Sequence, residues 1–157
     1  MEKKWNIVHL EDHRLYQRGM QSALNSLQGN LCFRSFQHPD AALQYTVVAL
    51  ARKNEIHLVI TDFTQVSGNG YAFASGVRQI EQRHSLQIPI ILLSMLEPER
   101  AVLIQRGIEE KIFDRYLCKD ADPEKVLATI NELVHRNNTG GTGPDLDDDF
   151  VSTPMYA

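Results

Sequence analysis

Five short apolar runs alternate along the chain with longer segments in which apolar and polar residues mix. The runs occupy residues 5–10, 31–36, 56–61, 88–94 and 114–118. The third and fourth are nearly continuous in valine, isoleucine and leucine, which is typical of parallel strands covered on both faces. The second is more polar, which suits a strand near the edge of a sheet. We therefore predict five β-strands.

The segments between the runs have the patterns of amphipathic helices. The predicted helices span residues 13–28, 39–54, 71–84, 98–113 and 122–136. The apolar stripe of the first consists of Leu15, Met20, Ala23, Leu24 and Leu27. Pro39 and Pro123 suit first helical turns, and Asp122 suits an N-cap. Gly107 lies inside the fourth helix and weakens the expectation that this helix is uninterrupted.

Strand and helix thus alternate five times, which predicts an α/β fold with a (βα)5 pattern. Such alternation implies right-handed crossovers and a doubly wound parallel sheet with helices on both sides. Residues 1–136 form one predicted domain. Residues 137–157 are rich in glycine, aspartate, asparagine and threonine without periodicity, so we expect an acidic flexible tail or the start of an interdomain linker.

Composition restricts the classes of protein that remain. With 157 residues, 43% hydrophobic and 23% charged, the chain is of soluble globular type. It lacks a run of roughly 20 apolar residues and an N-terminal signal peptide, so we expect a cytoplasmic protein without a membrane partner. Two cysteines, Cys32 and Cys118, suggest buried structural thiols rather than disulfides or a zinc site.

The negative charge is concentrated near the C-terminus. Four of the 20 acids lie after residue 136, where there is no lysine or arginine, so the remaining sixteen acids equal the sixteen bases. The four are Asp145, Asp147, Asp148 and Asp149. A neutral body offers no electrostatic footprint for nucleic acid. We therefore do not expect the chain itself to bind DNA.

Chemically useful side chains follow four of the five predicted strands. Ligands of open α/β sheets bind beyond the carboxyl ends of the strands. The residues at those ends are Glu11 and Asp12 after the first strand, Asp62 after the third, Ser94 at the end of the fourth and Lys119 after the fifth. Three neighbouring carboxylates repel one another and favour a cation, and oxygen ligands with room for water favour Mg²⁺. Mg²⁺ and a lysine are typical of phosphoryl transfer, and a carboxylate can accept the phosphoryl group.

This combination resembles the receiver domain of bacterial response regulators in two-component signalling. The matching stretches are "VHLEDHRLYQRGM", "LVITDF", "IILLS" and "RYLCKDADPEKV", and the resemblance covers roughly residues 5–136. The "EDH" and "LCKDADPEKV" details are similar to receivers that precede a LuxR-type helix-turn-helix domain. The resemblance implies a flavodoxin-like sheet with strand order 2-1-3-4-5.

The resemblance also implies roles for individual residues. Asp62 is expected to be the phospho-acceptor, paired with Lys119 before phosphorylation. Asp12 and Asp62 are expected to bind Mg²⁺ directly, Glu11 through water, and Thr64 through its backbone carbonyl. Ser94 is expected to bond a phosphoryl oxygen, and Tyr116 to follow that movement as the switch aromatic. The phosphodonor would be a histidine kinase, and the output face would be formed by the fourth helix, fifth strand and fifth helix.

Four of these residues also have ordinary structural interpretations. Asp12 could cap the first helix, and Ser94 could form a capping box with Glu97. Lys119 could be a surface lysine and Tyr116 a core aromatic. His9 and His13 are interpreted as a strand residue and a helix-start residue rather than metal ligands.

The sequence also departs from the receiver pattern. Val66 and Ser67 replace a common Pro-Gly pair. Met95 follows Ser94 where a small residue is usual, so a bulky side chain could hinder water or small phosphodonors. The fourth helix has an unusually long exit before the fifth strand.

Several functional alternatives stay open at this point. The chain could be a receiver-like interaction module without phosphorylation, or a stand-alone receiver without DNA-binding output. It is not expected to be a conventional enzyme, beyond self-phosphotransfer and autodephosphorylation at an aspartate. An aspartate-based phosphatase would need an acid where Thr64 stands, and Glu11 and Asp12 would repel the phosphate of a flavin. We favour transcription regulation through a C-terminal DNA-binding domain outside this chain, with a homodimer as a further partner.

Overall fold

Five parallel strands form the central sheet in a computed structural model of the chain, which describes residues 4–27, 30–62, 64–65, 68–95 and 97–136. The sheet strands are β1 Lys4–Leu10, β2 Asn30–Phe36, β3 Leu58–Thr61, β6 Ile90–Ser94 and β7 Arg115–Cys118. Between β3 and β6, a short antiparallel hairpin pairs β4 Thr64–Gln65 with β5 Gly68–Asn69. The order across the sheet is β2-β1-β3-β6-β7. Counting only the sheet strands, this is the order 2-1-3-4-5, so the predicted flavodoxin-like fold is confirmed.

Helices cover both faces of the sheet. They are α1 Arg14–Leu24, α2 Pro39–Ala51, α3 Gly70–His84, α4 Pro98–Glu109 and α5 Pro123–Arg136. One apolar core lies between the sheet and α1 and α5, and a second lies between the sheet and α2, α3 and α4. Because successive strand residues point to opposite faces, Ile7 joins the first core and Val8 the second. The predicted two-sided arrangement is confirmed.

Three helices end earlier than the periodicity predicts. We expected ends at residues 28, 54 and 113, but α1, α2 and α4 end at Leu24, Ala51 and Glu109. Lys53 and Lys111 have φ values of 60° and 59°, a left-handed conformation that terminates a helix. Apolar periodicity does not show such a residue, because it continues across the turn.

Gly107 does not interrupt α4, although its low helix propensity had weakened the expectation of an uninterrupted helix. A Cβ atom at this position would lie 2.6 Å from Cδ2 of Phe113, and Phe113 is completely buried. The glycine therefore allows the chain beyond α4 to fold back and insert Phe113 into the core.

Strands β3 and β6 each begin two residues later than predicted. Next to β1, the backbone N–H of Asn6 donates to Nδ1 of His57 at 2.9 Å, while the N–H of His57 donates to the carbonyl of Asn6. A ring nitrogen thus replaces the strand acceptor, and regular pairing starts at Leu58. Before β6, Pro89 has no N–H to donate.

Smaller expectations had mixed outcomes. Asp122 caps α5, because its Oδ1 accepts the N–H of Glu124 at 3.0 Å. Leu15 was predicted in the apolar stripe of α1, but it is 72% exposed. Cys32 and Cys118 are half-buried free thiols rather than fully buried ones. Among the described residues, no helix is long and apolar enough to cross a membrane.

Candidate functional site

The sheet topology brings the predicted site residues to one edge. Leu10 lies opposite Thr61 in the register of β1 and β3, so the residues that follow, Glu11 and Asp62, emerge side by side. The N–H of Asp62 donates to the carbonyl of Leu10 at 3.1 Å. On the other side, the N–H of Lys119 donates to the carbonyl of Ser94 at 3.1 Å. These bonds continue the strand ladder past its end and fix the backbone that carries the site.

Lys119 joins the two buried carboxylates. Its Nζ is 2.9 Å from Oε2 of Glu11 and 3.2 Å from Oδ2 of Asp62. The three side chains are only 7%, 2% and 11% exposed. Lys119 is therefore not the surface lysine that the sequence left open as an alternative.

Asp12 completes a group of three acids. One carboxylate oxygen from each of Glu11, Asp12 and Asp62 lies within 4.8 Å of the others. The N-cap of α1 is His13, so Asp12 does not occupy the capping position considered from the sequence. Three carboxylates against one ammonium leave a formal excess of two negative charges. The cluster is compatible with a divalent cation of the kind that oxygen ligands bind.

Burial and charge shift the protonation of this cluster. Burial raises the pKa of Glu11, and the hydrogen bond and charge of Lys119 only partly oppose this. For Lys119, burial lowers the pKa, but the contacts with Glu11 and Asp62 outweigh it and the pKa is raised overall. Burial, with the charge of Lys119, lowers the pKa of His9 to about 3. His9 is therefore neutral near pH 7 and adds no charge beneath the site.

Ser94 contributes a hydroxyl that no other described residue binds. The side chain is completely buried, and its Oγ has no hydrogen-bond partner within the described part of the chain. It does not cap α4, whose N-cap is Glu97. A buried hydroxyl without a partner is unusual. This one lies at the end of β6, on the same edge as the acids.

Tyr116 packs inside the protein next to Ser94. It is 4% exposed, and its hydroxyl donates to the backbone carbonyl of Ser94 at 3.4 Å. The contact joins β7 to the end of β6. Met95 is half-buried immediately after Ser94, where we expected a side chain that restricts access.

The loop after Asp62 is only partly described. Thr64 begins the hairpin, and the expected role of its carbonyl as a metal ligand stays a prediction. Val66 and Ser67, which depart from the receiver pattern, lie outside the described residues. The loop closes at Gly70, where an added Cβ would collide with the backbone carbonyl of Asp62.

Sequence analysis missed three residues that contact the site. The Tyr16 ring lies over Lys119, with Nζ 4.1 Å from its centroid. Nε2 of Gln17 donates to the Glu11 carbonyl at 2.6 Å, and Gly70 leaves room for Asp62. The place of Tyr16 in the first helical turn indicates that its side chain leans back toward the preceding loop, but no sequence pattern indicates that Lys119 lies beneath it.

Of three comparisons with known proteins, only the one with solved structures finds similar proteins. No family model matches the sequence, and no curated protein matches it. Solved structures do match. The signal receiver domain of an HD domain-containing protein from Pseudomonas fluorescens Pf-5 is 23% identical, with a TM-score of 0.67 over 87% of this chain and 99% of that chain.

Two further structures are similar at lower identity. The receiver domain of the Saccharomyces cerevisiae response regulator Ssk1, crystallised with the histidine phosphotransfer signaling protein Ypd1, is 17% identical, with a TM-score of 0.66 over 87% of this chain and 93% of that chain. A LuxR family DNA-binding response regulator from Silicibacter pomeroyi is 16% identical, with a TM-score of 0.59 over 83% of this chain and 92% of that chain. This chain therefore has the fold of response-regulator receiver domains, as its motifs predicted.

Proposed function

We propose that the chain is a phosphorylation-dependent signalling switch whose phospho-acceptor is Asp62. The arrangement of Lys119 between Asp62 and Glu11, with Asp12 beside them, carries the proposal. A carboxylate that follows a central strand, paired with a buried lysine, is equipped to accept a phosphoryl group rather than merely to support the fold. The receiver fold of the similar structures supports a role in phosphorelay signalling.

Mg²⁺ is the cofactor that fits the acid cluster. Glu11, Asp12 and Asp62 would hold it, with the Thr64 carbonyl as a further ligand. Its double charge would neutralise the formal excess of two negative charges, and when bound it would stabilise the charge on phosphoryl oxygens.

The chain's own residues divide the work of the transfer. An oxygen of Asp62 attacks the phosphorus of a donor phosphohistidine, and the N–P bond breaks with its electron pair left on the imidazole nitrogen. Lys119 pairs with one phosphoryl oxygen, and the buried hydroxyl of Ser94 donates to another. In a separate dephosphorylation step, water attacks the phosphorus and gives up a proton, and the bond between phosphorus and the Asp62 oxygen breaks with its electron pair left on that oxygen. The products are the free Asp62 carboxylate and inorganic phosphate.

Ser94 and Tyr116 connect this chemistry to the output face. A hydrogen bond from Ser94 to a phosphoryl oxygen would shift the end of β6, whose carbonyl Tyr116 already contacts. Such a shift would bias α4, β7 and α5 between two arrangements. The contact between Tyr116 and the Ser94 carbonyl, which is already present, would therefore connect the phosphorylation site to the output face.

The partners follow from the same proposal. The donor is a histidine kinase, which is supported by a similar receiver crystallised with a histidine phosphotransfer protein. The output is regulation of transcription through a DNA-binding domain, with homodimerisation as part of the response. A DNA-binding response regulator among the similar structures supports this output.

Intact mass spectrometry after incubation with acetyl phosphate and Mg²⁺ tests the proposal. We expect one added phosphoryl group, absent in Asp62→Ala and in the presence of a chelator. Asp40→Ala is the matched control, because Asp40 is an exposed acid in the first turn of α2. If the folded protein gains no mass, beryllofluoride binding distinguishes hindrance by Met95 from absence of the switch. A protein that takes neither would contradict the proposal.

A further inference from the structure

Tyr16 occupies a position between the phosphorylation site and solvent. It lies in the first turn of α1, where side chains lean toward the helix N-terminus and thus over the loop from Glu11 to His13. Its ring is 5.2 Å from that of His13 and is centred 4.1 Å from Nζ of Lys119. The residue is 44% exposed, so burial in the core does not account for its placement.

The ring completes the surroundings of the Lys119 ammonium. Nζ of Lys119 lies 2.9 Å and 3.1 Å from the two carboxylate oxygens of Glu11 and 3.2 Å from Oδ2 of Asp62, so two residues provide all of its oxygen partners. The face of an aromatic ring attracts a cation, so Tyr16 provides a third, uncharged partner. Unlike another carboxylate, the ring holds the ammonium without adding negative charge to an acidic site.

A cavity beside Lys119 shows why a holding contact matters. It has a volume of about 250 Å³ and lies between α1 and α5, with Leu15, Met20 and Val126 in its wall. Gly19 also borders it, and a Cβ there would meet no atom within 4 Å. A lysine side chain is long and flexible and has space to move on this side, so the ring restricts the positions that the ammonium can take next to the carboxylates.

We propose that Tyr16 is a positioning residue that keeps the Lys119 ammonium at the acceptor carboxylate through its ring face. The inference rests on the proposed function, since it concerns the lysine that meets the incoming phosphoryl group. It assigns Tyr16 no contact with the phosphoryl group itself. The ring, and not its hydroxyl, is the feature that matters.

The initial rate of Asp62 phosphorylation by acetyl phosphate with Mg²⁺ tests the inference. Tyr16→Leu removes the ring, and Tyr16→Gln removes it while keeping a polar side chain with good helix propensity. We expect both to slow phosphorylation about two- to five-fold, the factor that a cation–π contact at a half-exposed site provides. Tyr16→Phe keeps the ring and is expected to restore the wild-type rate.

Leu15→Ala is the control for a general effect on α1, because Leu15 is its exposed neighbour and borders the same cavity. Thermal unfolding midpoints identify any variant that fails to fold. The inference is overturned if Leu and Gln variants react at the wild-type rate, or if Tyr16→Phe is as slow as they are. Failure of the wild type to bind either a phosphoryl group or beryllofluoride would instead overturn the proposed function, and the inference with it.

Discussion

Replacing Lys119 by methionine would remove the ammonium between two buried acids while keeping a side chain of similar length. Nζ of Lys119 is 2.9 Å from Glu11 and 3.2 Å from Asp62, and Glu11 is only 2% exposed. Without the ammonium, these carboxylates face each other and Asp12 within 4.8 Å. We expect the fold to lose stability, and the loss to depend on pH.

The expected magnitude follows from the protonation of Glu11. Breaking a buried ion pair by removing one partner costs about 3–5 kcal/mol. Glu11 limits that loss, because burial already raises its pKa above the ordinary 4.5 and it can take up a proton instead. Protonating a glutamate of ordinary pKa requires about 3 kcal/mol at pH 7 and below about 1 kcal/mol at pH 5. We therefore expect the free energy of unfolding to fall by about 2–3 kcal/mol at pH 7 and by less than about 1 kcal/mol at pH 5.

Urea unfolding followed by tryptophan fluorescence measures this difference. The chain has one tryptophan, and Trp5 is buried in the core beneath α1 and α5. Lys4→Met is the control, since Lys4 is an exposed lysine and its replacement should change stability little at either pH. A loss in Lys119→Met that is equal at pH 5 and pH 7, or absent at both, would refute the role given to Glu11.

Three further perturbations test separate parts of the account. Gly70→Ala should destabilise the fold by about 1–3 kcal/mol and slow phosphorylation, because the added Cβ collides with the Asp62 carbonyl. A urea unfolding curve identical to that of the wild type would contradict this close contact. The pKa of His9 is lowered from 6.5 to about 3 in the folded protein. As pH falls below 6.5, His9 therefore takes up a proton in the unfolded chain before it does so in the folded protein. This difference should lower the free energy of unfolding by about 1.4 kcal/mol per pH unit between pH 6 and 4. His9→Asn should unfold in urea without this contribution to the slope, and an identical pH dependence would argue against a neutral His9. Mg²⁺ at ten times its dissociation constant should stabilise the wild type by about 1.4 kcal/mol, and an equal gain in Asp12→Asn would place the cation elsewhere.

The strands and the site could be predicted because both follow from local patterns. Apolar runs mark strands that are buried on both faces, and parallel strands bring their carboxyl ends to one edge. Asp62 and Lys119 are 57 residues apart in the chain, yet each directly follows a strand of the same sheet. The predicted order of the strands was therefore enough to predict that Asp62 and Lys119 lie close together.

The helix and strand boundaries that were predicted wrongly depend on contacts that the apolar periodicity does not show. Helix α4 ends earlier than predicted, next to Lys111 in a left-handed conformation, and Gly107 within it leaves the space that the Phe113 ring occupies. Strand β3 starts late because a side-chain nitrogen of His57 replaces a backbone acceptor. Each is a tertiary packing or side-chain bonding effect that overrides local preference.

Tyr16 was missed for a different reason. An aromatic residue in the first turn of a helix suggests core packing or an exposed ring, and sequence alone does not show a cation beneath it. That cation is Lys119, 103 positions further along the chain. Leu15 shows the converse, since its place in an apolar stripe did not bury it.

The most direct test of the central claim identifies the residue that carries the phosphoryl group. Borohydride reduces an aspartyl phosphate to homoserine, and peptide mass spectrometry then locates the altered residue after treatment with acetyl phosphate and Mg²⁺. We predict homoserine at position 62 only, and none when a chelator is present. Phosphorylated protein with an unaltered Asp62, or with homoserine at Asp12, would contradict the account.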